Sequence, residues 1–244
     1  MAHESQVSFY RKVIQSFPKH FEGKVLDIGS LDINGGPHRL LDASEYVGVD
    51  IGPGPNVNLV AHGENLDLPS NYFDVAMSSE CFEHNANWRS TLKNMIRMTK
   101  EGGLVVFSCA TLGREEHGTS ASDGGFSAPL LTEAGVEYYE NVRPKAVRRV
   151  LRGGSIENFF ILVNRQHSDL LFVGVKGAED SSQRKRLEML RESIRTEFKL
   201  EKRRKSATRF LFELVGGDRG ARLYLCGRAL RDKTYNRVLS WRRS

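Results

Sequence analysis

An apolar run that ends in a glycine-rich turn constrains this chain more than any other feature. Val25-Leu26-Asp27-Ile28 leads into Gly29-Ser30-Leu31-Asp32-Ile33-Asn34-Gly35-Gly36. A short run of branched apolar residues predicts a strand buried on both faces. The glycines predict a turn that lets backbone come close to a ligand. Residues 46–51 predict a second strand, with Asp50 and Ile51 at its end. Asp50 lies about twenty residues beyond Gly29, where a carboxylate accepts hydrogen bonds from both hydroxyls of a ribose. A simple turn acid is the plainer alternative. The chain thus begins like a nucleoside-cofactor domain.

The remaining pattern extends this start into a sheet. Phe9, Val13, Ile14 and Phe17 lie near helical spacing and predict a helix before the first strand, residues 24–28. Residues 36–45 fit a turn and a short helix. Gly52-Pro53-Gly54-Pro55 breaks the second strand. Residues 57–60 predict a weak third strand and 73–78 a stronger fourth. Leu92, Met95, Ile96 and Thr99 share a face, so 88–99 reads as a helix, and Gly102-Gly103 turns it into a fifth strand at 104–109. Strands alternating with helices predict a parallel sheet covered on both faces, with ligands outside the carboxyl ends of the strands. The polar residues 111–130 read as a loop or lid over those ends. Strands at 159–164 and 170–176 are joined by Arg165-Gln166-His167-Ser168-Asp169, a connection that suits a hairpin. The expected fold is α/β: a Rossmann-like doubly wound sheet, mostly parallel with an antiparallel last strand, plus a basic helical C-terminal extension.

Charge divides the chain where this pattern ends. Residues 178–244 hold 19 Lys/Arg against 9 Asp/Glu, and residues 1–177 hold 17 against 21. The expected organisation is a cofactor-binding domain over 1–177 and a basic, mainly helical extension over 178–244. A long helix from Gln183 to about Phe212 carries Leu187, Leu190, Ile194 and Phe198 on one stripe, which should dock on the sheet domain or on a second copy in a homodimer. The opposite, basic face is a solvated surface on the plainer reading. A nucleic-acid partner is the less favoured one. No apolar run approaches the roughly 18–20 residues of a membrane helix. The polar start shows no signal peptide, and Cys81, Cys109 and Cys226 are odd in number without metal-ligand spacing. A cytoplasmic protein with reduced thiols is expected.

The turn also discriminates between cofactors. A dinucleotide site wants Gly-x-Gly-x-x-Gly after the first strand, and here the tight second glycine is missing. Asp27 at the strand end would repel a pyrophosphate but suits a cationic amino group. S-adenosylmethionine has that amino group and no phosphate, which favours it over NAD.

With these pieces in place, the sequence resembles the class I S-adenosylmethionine-dependent methyltransferases, especially the type 11 group. Val25-Leu26-Asp27-Ile28-Gly29 resembles the family's first motif, and Asp50 its ribose-binding acid. Gly63-Glu64-Asn65-Leu66-Asp67-Leu68-Pro69 resembles the adenine-flanking loop, Ser78-Ser79-Glu80-Cys81-Phe82-Glu83-His84 the end of strand four, and Thr99-Lys100-Glu101-Gly102-Gly103 the turn that follows. The chain departs from the family at Leu31, where a second glycine is usual. The resemblance implies cofactor contacts from Asp27, Gly29, Ser30, Gly35, Asp50, Ile51, Glu64, Asn65, Leu66, Ser79 and His84.

Methyl transfer from a sulfonium needs positioning and at most one modest base. His117, in the loop after strand five, is the candidate base because an imidazole takes a proton near neutral pH. A lid histidine satisfied by a neighbour is the alternative. Tyr138 and Tyr139 are candidate substrate contacts. A metal-dependent reaction would need clustered acids or histidines after strands four and five. Glu80 and Glu83 are near, but Cys109-Ala110-Thr111 supplies no carboxylate, so no metal is expected. The expected acceptor is a small-molecule or glycan hydroxyl. Amine methylation, RNA methylation and a non-catalytic assembly protein with a basic tail stand as alternatives.

Overall fold

In the computed structural model, which describes residues 4–33, 35–122, 125–177 and 180–215, seven strands form one sheet. They are β1 (Lys24–Ile28), β2 (Glu45–Asp50), β3 (Leu59–Val60), β4 (Phe73–Ser79), β5 (Thr99–Ala110), β6 (Asn158–Asn164) and β7 (Asp169–Val175). Their order is β3-β2-β1-β4-β5-β7-β6. The first five pair in parallel, and β7 runs antiparallel to both β5 and β6. The hairpin expected at the end of the sheet is therefore present. It inserts β7 beside β5 and leaves β6 at the edge. The sheet reverses its winding between β1 and β4, so a crevice opens at their carboxyl ends.

Two elements run past their expected limits for a local reason. Strand β5 begins at Thr99, which pairs with Phe73 before the register shifts to Val75 opposite Leu104. Gly102 takes up the shift with φ +76°. Helix α1 (Glu4–Ser16) stops before Pro18, which opens a separate turn, α2 (Pro18–Phe21). Phe9, Tyr10, Val13 and Phe17 are buried against the sheet.

Helix α3 (Trp88–Met98) buries Trp88, Leu92, Met95 and Met98, spacings that keep one stripe inward. Helices α4 (Pro129–Glu133) and α5 (Pro144–Leu151) interrupt a region whose pattern is too short to show them in sequence. The core joins Leu26, Ile28, Ala76, Val105, Phe107 and Phe172 from the sheet with Phe82 from the 3-10 turn after β4 and Trp88, Leu92 and Val147 from the helices.

Helix α6 runs Ser181–Val215. By compactness the chain divides into Met1–Ile194 and Arg195–Ser244. Within the first unit Leu187, Leu190 and Ile194 are buried, as their spacing predicts. Residues 216–244, including Cys226, lie outside the described residues, so the reading of the Arg-rich end finds no structural counterpart here. No helix among the described residues is long and apolar enough to cross a membrane.

Candidate functional site

The crevice between β1 and β4 is a cavity of about 400 Å³, within the roughly 300–1,000 Å³ of small-molecule sites. Its floor is the turn after β1. Gly29 donates to the Val49 carbonyl at 2.8 Å and has φ +78°. A Cβ on Gly29 would sit 2.5 Å from the Cys81 Cβ, so β1 and β4 close on each other only with glycine here. Asp50 accepts the main-chain N–H groups of Leu31 at 3.0 Å and Ile51 at 2.8 Å. Burial raises its carboxyl above the usual range. Asp50 thus pins the turn while lining the cavity beside Gly29, Ser30 and Ile51.

Asp32 organises the rest of the turn. Its carboxylate receives the Gly35 N–H at 2.5 Å and the Arg39 guanidinium at 2.6 Å, with the His38 imidazole 3.3 Å away. Burial pushes the Asp32 carboxyl up, but these donors outweigh it and hold it below the usual range. The turn keeps its shape through this side-chain hub. Gly35 and His38 reach the cavity wall as a result.

Asp27 sits deeper. Its Oδ2 accepts the Tyr46 hydroxyl at 2.8 Å, and Tyr46 in turn accepts from Asn56 Nδ2 at 2.6 Å. Burial pushes Asp27 up to about 7, against the pull of Tyr46. Asp27 lines the cavity and is 3% exposed.

The end of β4 supplies the opposite wall. Ser79, Glu80, Cys81 and His84 line the cavity. Glu80 holds φ +51°, a conformation that costs a non-glycine residue of order 1–3 kcal/mol and is concentrated at functional sites. Glu64 lines the cavity, where it accepts from Asn87 Nδ2 at 2.7 Å. Its neighbours do not share the wall: Asn65 is exposed and Leu66 is part of the core. Successive residues of the 3-10 turn Gly63–Asn65 point about 120° apart, so Glu64 alone of the pair can face inward.

The structure brings His117 to His84, 33 positions away in sequence. Their rings meet edge to face at 4.9 Å, and Tyr139 packs on both, at 5.0 Å from His117 and 5.6 Å from His84. Gly118 permits the approach, since a Cβ there would lie 2.6 Å from the His84 ring. His117 Nδ1 is 3.1 Å from the Glu115 carbonyl, and burial lowers the imidazole below its ordinary value. His117 and Tyr139 stand behind His84 and do not line the cavity. Tyr138 turns elsewhere, donating to Glu140 at 2.7 Å beside Trp88 and Arg89.

Beneath His84 lies an acidic cluster that sequence reasoning did not assemble. Glu83 is fully buried, and its Oε1 accepts the Ala110 N–H at 3.0 Å. Arg114 reaches Glu80 at 3.6 Å and Asp169 at 3.1 Å. Burial, and for Glu80 the nearby Glu83, raises these carboxyls above the usual range. Sequence reasoning also missed the roof, where Leu130 and Leu131 of α4 close the cavity. Their only trace in sequence is an apolar pair after Pro129 in an otherwise polar stretch.

Residues 26–107 match the family described as methyltransferase domain. Together with the sheet order and the crevice at its switch point, this match supports a class I S-adenosylmethionine-dependent methyltransferase domain over those residues. Among solved structures the chain is similar to phosphoethanolamine N-methyltransferase 2 of Haemonchus contortus in complex with S-adenosyl-L-methionine. The identity is 13% and the TM-score 0.50, over 70% of this chain and 52% of that one. It is similar as well to the [4+2]-cyclase SpnF, at 11% identity and a TM-score of 0.50, over 71% and 82% of the two chains. These likenesses concern the fold, and the chain spans about half the length of the N-methyltransferase. No curated protein matches the chain.

Proposed function

We propose that the chain transfers the methyl group of S-adenosylmethionine to a small-molecule or glycan hydroxyl. One observation carries the cofactor reading: an acid at each strand end, Asp27 buried and Asp50 half-buried, faces one cavity whose floor is the Gly29 turn. Asp50 would accept the ribose hydroxyls, Asp27 the amino group, and Glu64 would flank the adenine. Bound there, the cofactor supplies an electrophilic methyl group on a sulfonium. The chain's own residues orient both partners and exclude water, with Leu130 and Leu131 as the roof.

His117 is the proposed base. An Nδ1–H donated to the Glu115 carbonyl leaves the lone pair on Nε2, and the lowered affinity for protons keeps the ring neutral near pH 7. His84 stands between this ring and the cavity, so an acceptor hydroxyl reaches the base along the His84 edge. Tyr139, packed on both rings, would hold His84 and His117 in place behind the acceptor. A small-molecule amine is the second reading, favoured by the Glu80 carboxylate on the cavity wall. An RNA acceptor rests on tail charge alone. A cytoplasmic setting belongs to the same proposal and is supported by the free thiols of Cys81 and Cys109.

Calorimetric titration should show S-adenosylmethionine or S-adenosylhomocysteine binding well ahead of NAD. Screening nucleotide sugars, glycans, phenols and amines by homocysteine release then identifies the acceptor. With it, His117→Ala should lower turnover by roughly 10²–10⁴ at nearly constant cofactor affinity. Preference for NAD would refute the cofactor reading, and unchanged turnover would remove His117 from the mechanism.

A further inference from the structure

Glu83, His84 and His117 place one potential ligand atom each, all within 4.8 Å of one another. We infer that they form a binding site for a divalent transition metal, of the Zn²⁺ class, at the edge of the cavity. Two imidazoles and one carboxylate are a donor set that suits zinc and its neighbours over magnesium or calcium.

Three features of the site point the same way. The Glu83 carboxylate is fully buried, and its Oε2 makes no hydrogen bond to another residue among those described. A carboxylate oxygen in that position costs free energy unless a cation or donor meets it. The His117 Nδ1 contact to the Glu115 carbonyl is the outer-shell bond that orients a metal-ligating imidazole and leaves Nε2 to bind. Gly118 holds the His117 loop down on His84, so the ligand from the loop is brought to the two from the end of β4.

The geometry needs a modest contraction. Bonds of roughly 2.0–2.2 Å place tetrahedral ligand atoms about 3.4 Å apart, so the three atoms draw in by at most about 1.4 Å. Three protein ligands leave one position open, as in catalytic sites. His84 lines the cavity, so the site adjoins the space an acceptor would occupy.

The inference rests on the hydroxyl-acceptor reading only for the role of the metal. With the metal bound, His117 is a ligand, and the acceptor's proton passes to solvent water in place of the imidazole.

Co²⁺ titrated into chelator-treated full-length protein tests the site directly. The expected result is one equivalent bound, with visible absorption bands displaced by Zn²⁺. His117→Ala and Glu83→Gln should each weaken Co²⁺ binding by roughly 100-fold or more, since losing a ligand exceeds the cost of losing an outer-shell partner. Glu83→Gln keeps an oxygen for the Ala110 N–H, and its thermal unfolding checks that the fold survives. Absence of Co²⁺ bands in the wild type overturns the inference, as does binding unaffected by both substitutions. Turnover lost in His117→Ala by a protein that binds no metal overturns the metal and leaves the base. Co²⁺ bands that depend on both residues, in a protein inactive on every hydroxyl, support the site and refute only the acceptor reading.

Discussion

Replacing Asp50 by alanine separates what this carboxylate does for the fold from what it does for the ligand. In the structure it accepts the Leu31 and Ile51 N–H groups at 3.0 and 2.8 Å. Each carboxylate oxygen has a second acceptor site, and these are available to the ribose hydroxyls. Hydrogen bonds to a charged group contribute about 1.5–3 kcal/mol. Loss of even one of the two should therefore weaken S-adenosylmethionine by about 10- to 150-fold.

The same substitution leaves the Leu31 N–H without its acceptor, at about 1–3 kcal/mol of folding stability. Burial already disfavours the Asp50 charge, as its raised carboxyl shows, so part of that loss is offset. Asp50→Asn provides the control. Its amide oxygen still serves Leu31, but its NH₂ group and lost charge cannot replace the carboxylate toward two hydroxyls. Calorimetric titration should find both variants weak for the cofactor, while urea unfolding should find Asp50→Ala, which loses both acceptors, more destabilised than Asp50→Asn, which loses only the one facing Ile51. A folded Asp50→Ala protein with wild-type affinity would refute the assignment.

Other outcomes follow from the same coordinates. Gly29→Ala should cost about 2–4 kcal/mol in urea unfolding, from strain at φ +78° and overpacking against Cys81; Cys81→Gly in that background should recover part of it, and no recovery would refute the contact as cause. Asp27 protonates below about 7, so cofactor affinity should fall as pH drops through that value. It should fall again above about 8, where the ligand's α-amino group loses its proton. The acid limb should vanish in Asp27→Asn, and a limb that persists would clear Asp27 of the role. We propose that the extension beginning at 178 is accessory to the cofactor site. A chain ending at Ile194 should then retain cofactor binding, and a folded version that binds none would refute this. A chain ending at Gly177 also loses Leu187, Leu190 and Ile194, each worth about 1.5–3 kcal/mol of burial, and should melt lower.

Much of the sheet was legible because its signals are local. Residues 24–28 are an apolar run bounded by glycine, and β1 has those limits. The Trp88 helix buries Leu92 and Met95 of its expected stripe, with Trp88 and Met98 in place of Ile96 and Thr99, and the short link before β7, residues 165–168, marks a hairpin. Where the signal weakened, so did the reading. Helices α4 and α5 are short, and each carries too few turns for a period to stand out. The start of β5 at Thr99 depends on a bulge that pairing with β4 rewards and local preference does not.

The site divides along the same line. Asp27, Gly29, Asp50 and Ser79 lie at strand ends, so a parallel sheet with a known switch point is enough to bring them to one crevice. Sequence alone thus determined the domain class and the cofactor end of the cavity. Only the tertiary structure decided that Asp32 ties Gly35, His38 and Arg39 together, that Leu131 roofs the cavity, and that Glu83, His84 and His117 meet. Those contacts join loops and strand ends far apart in the chain. Their partners are selected by how the backbone folds back over the sheet, and no spacing in sequence encodes that distance.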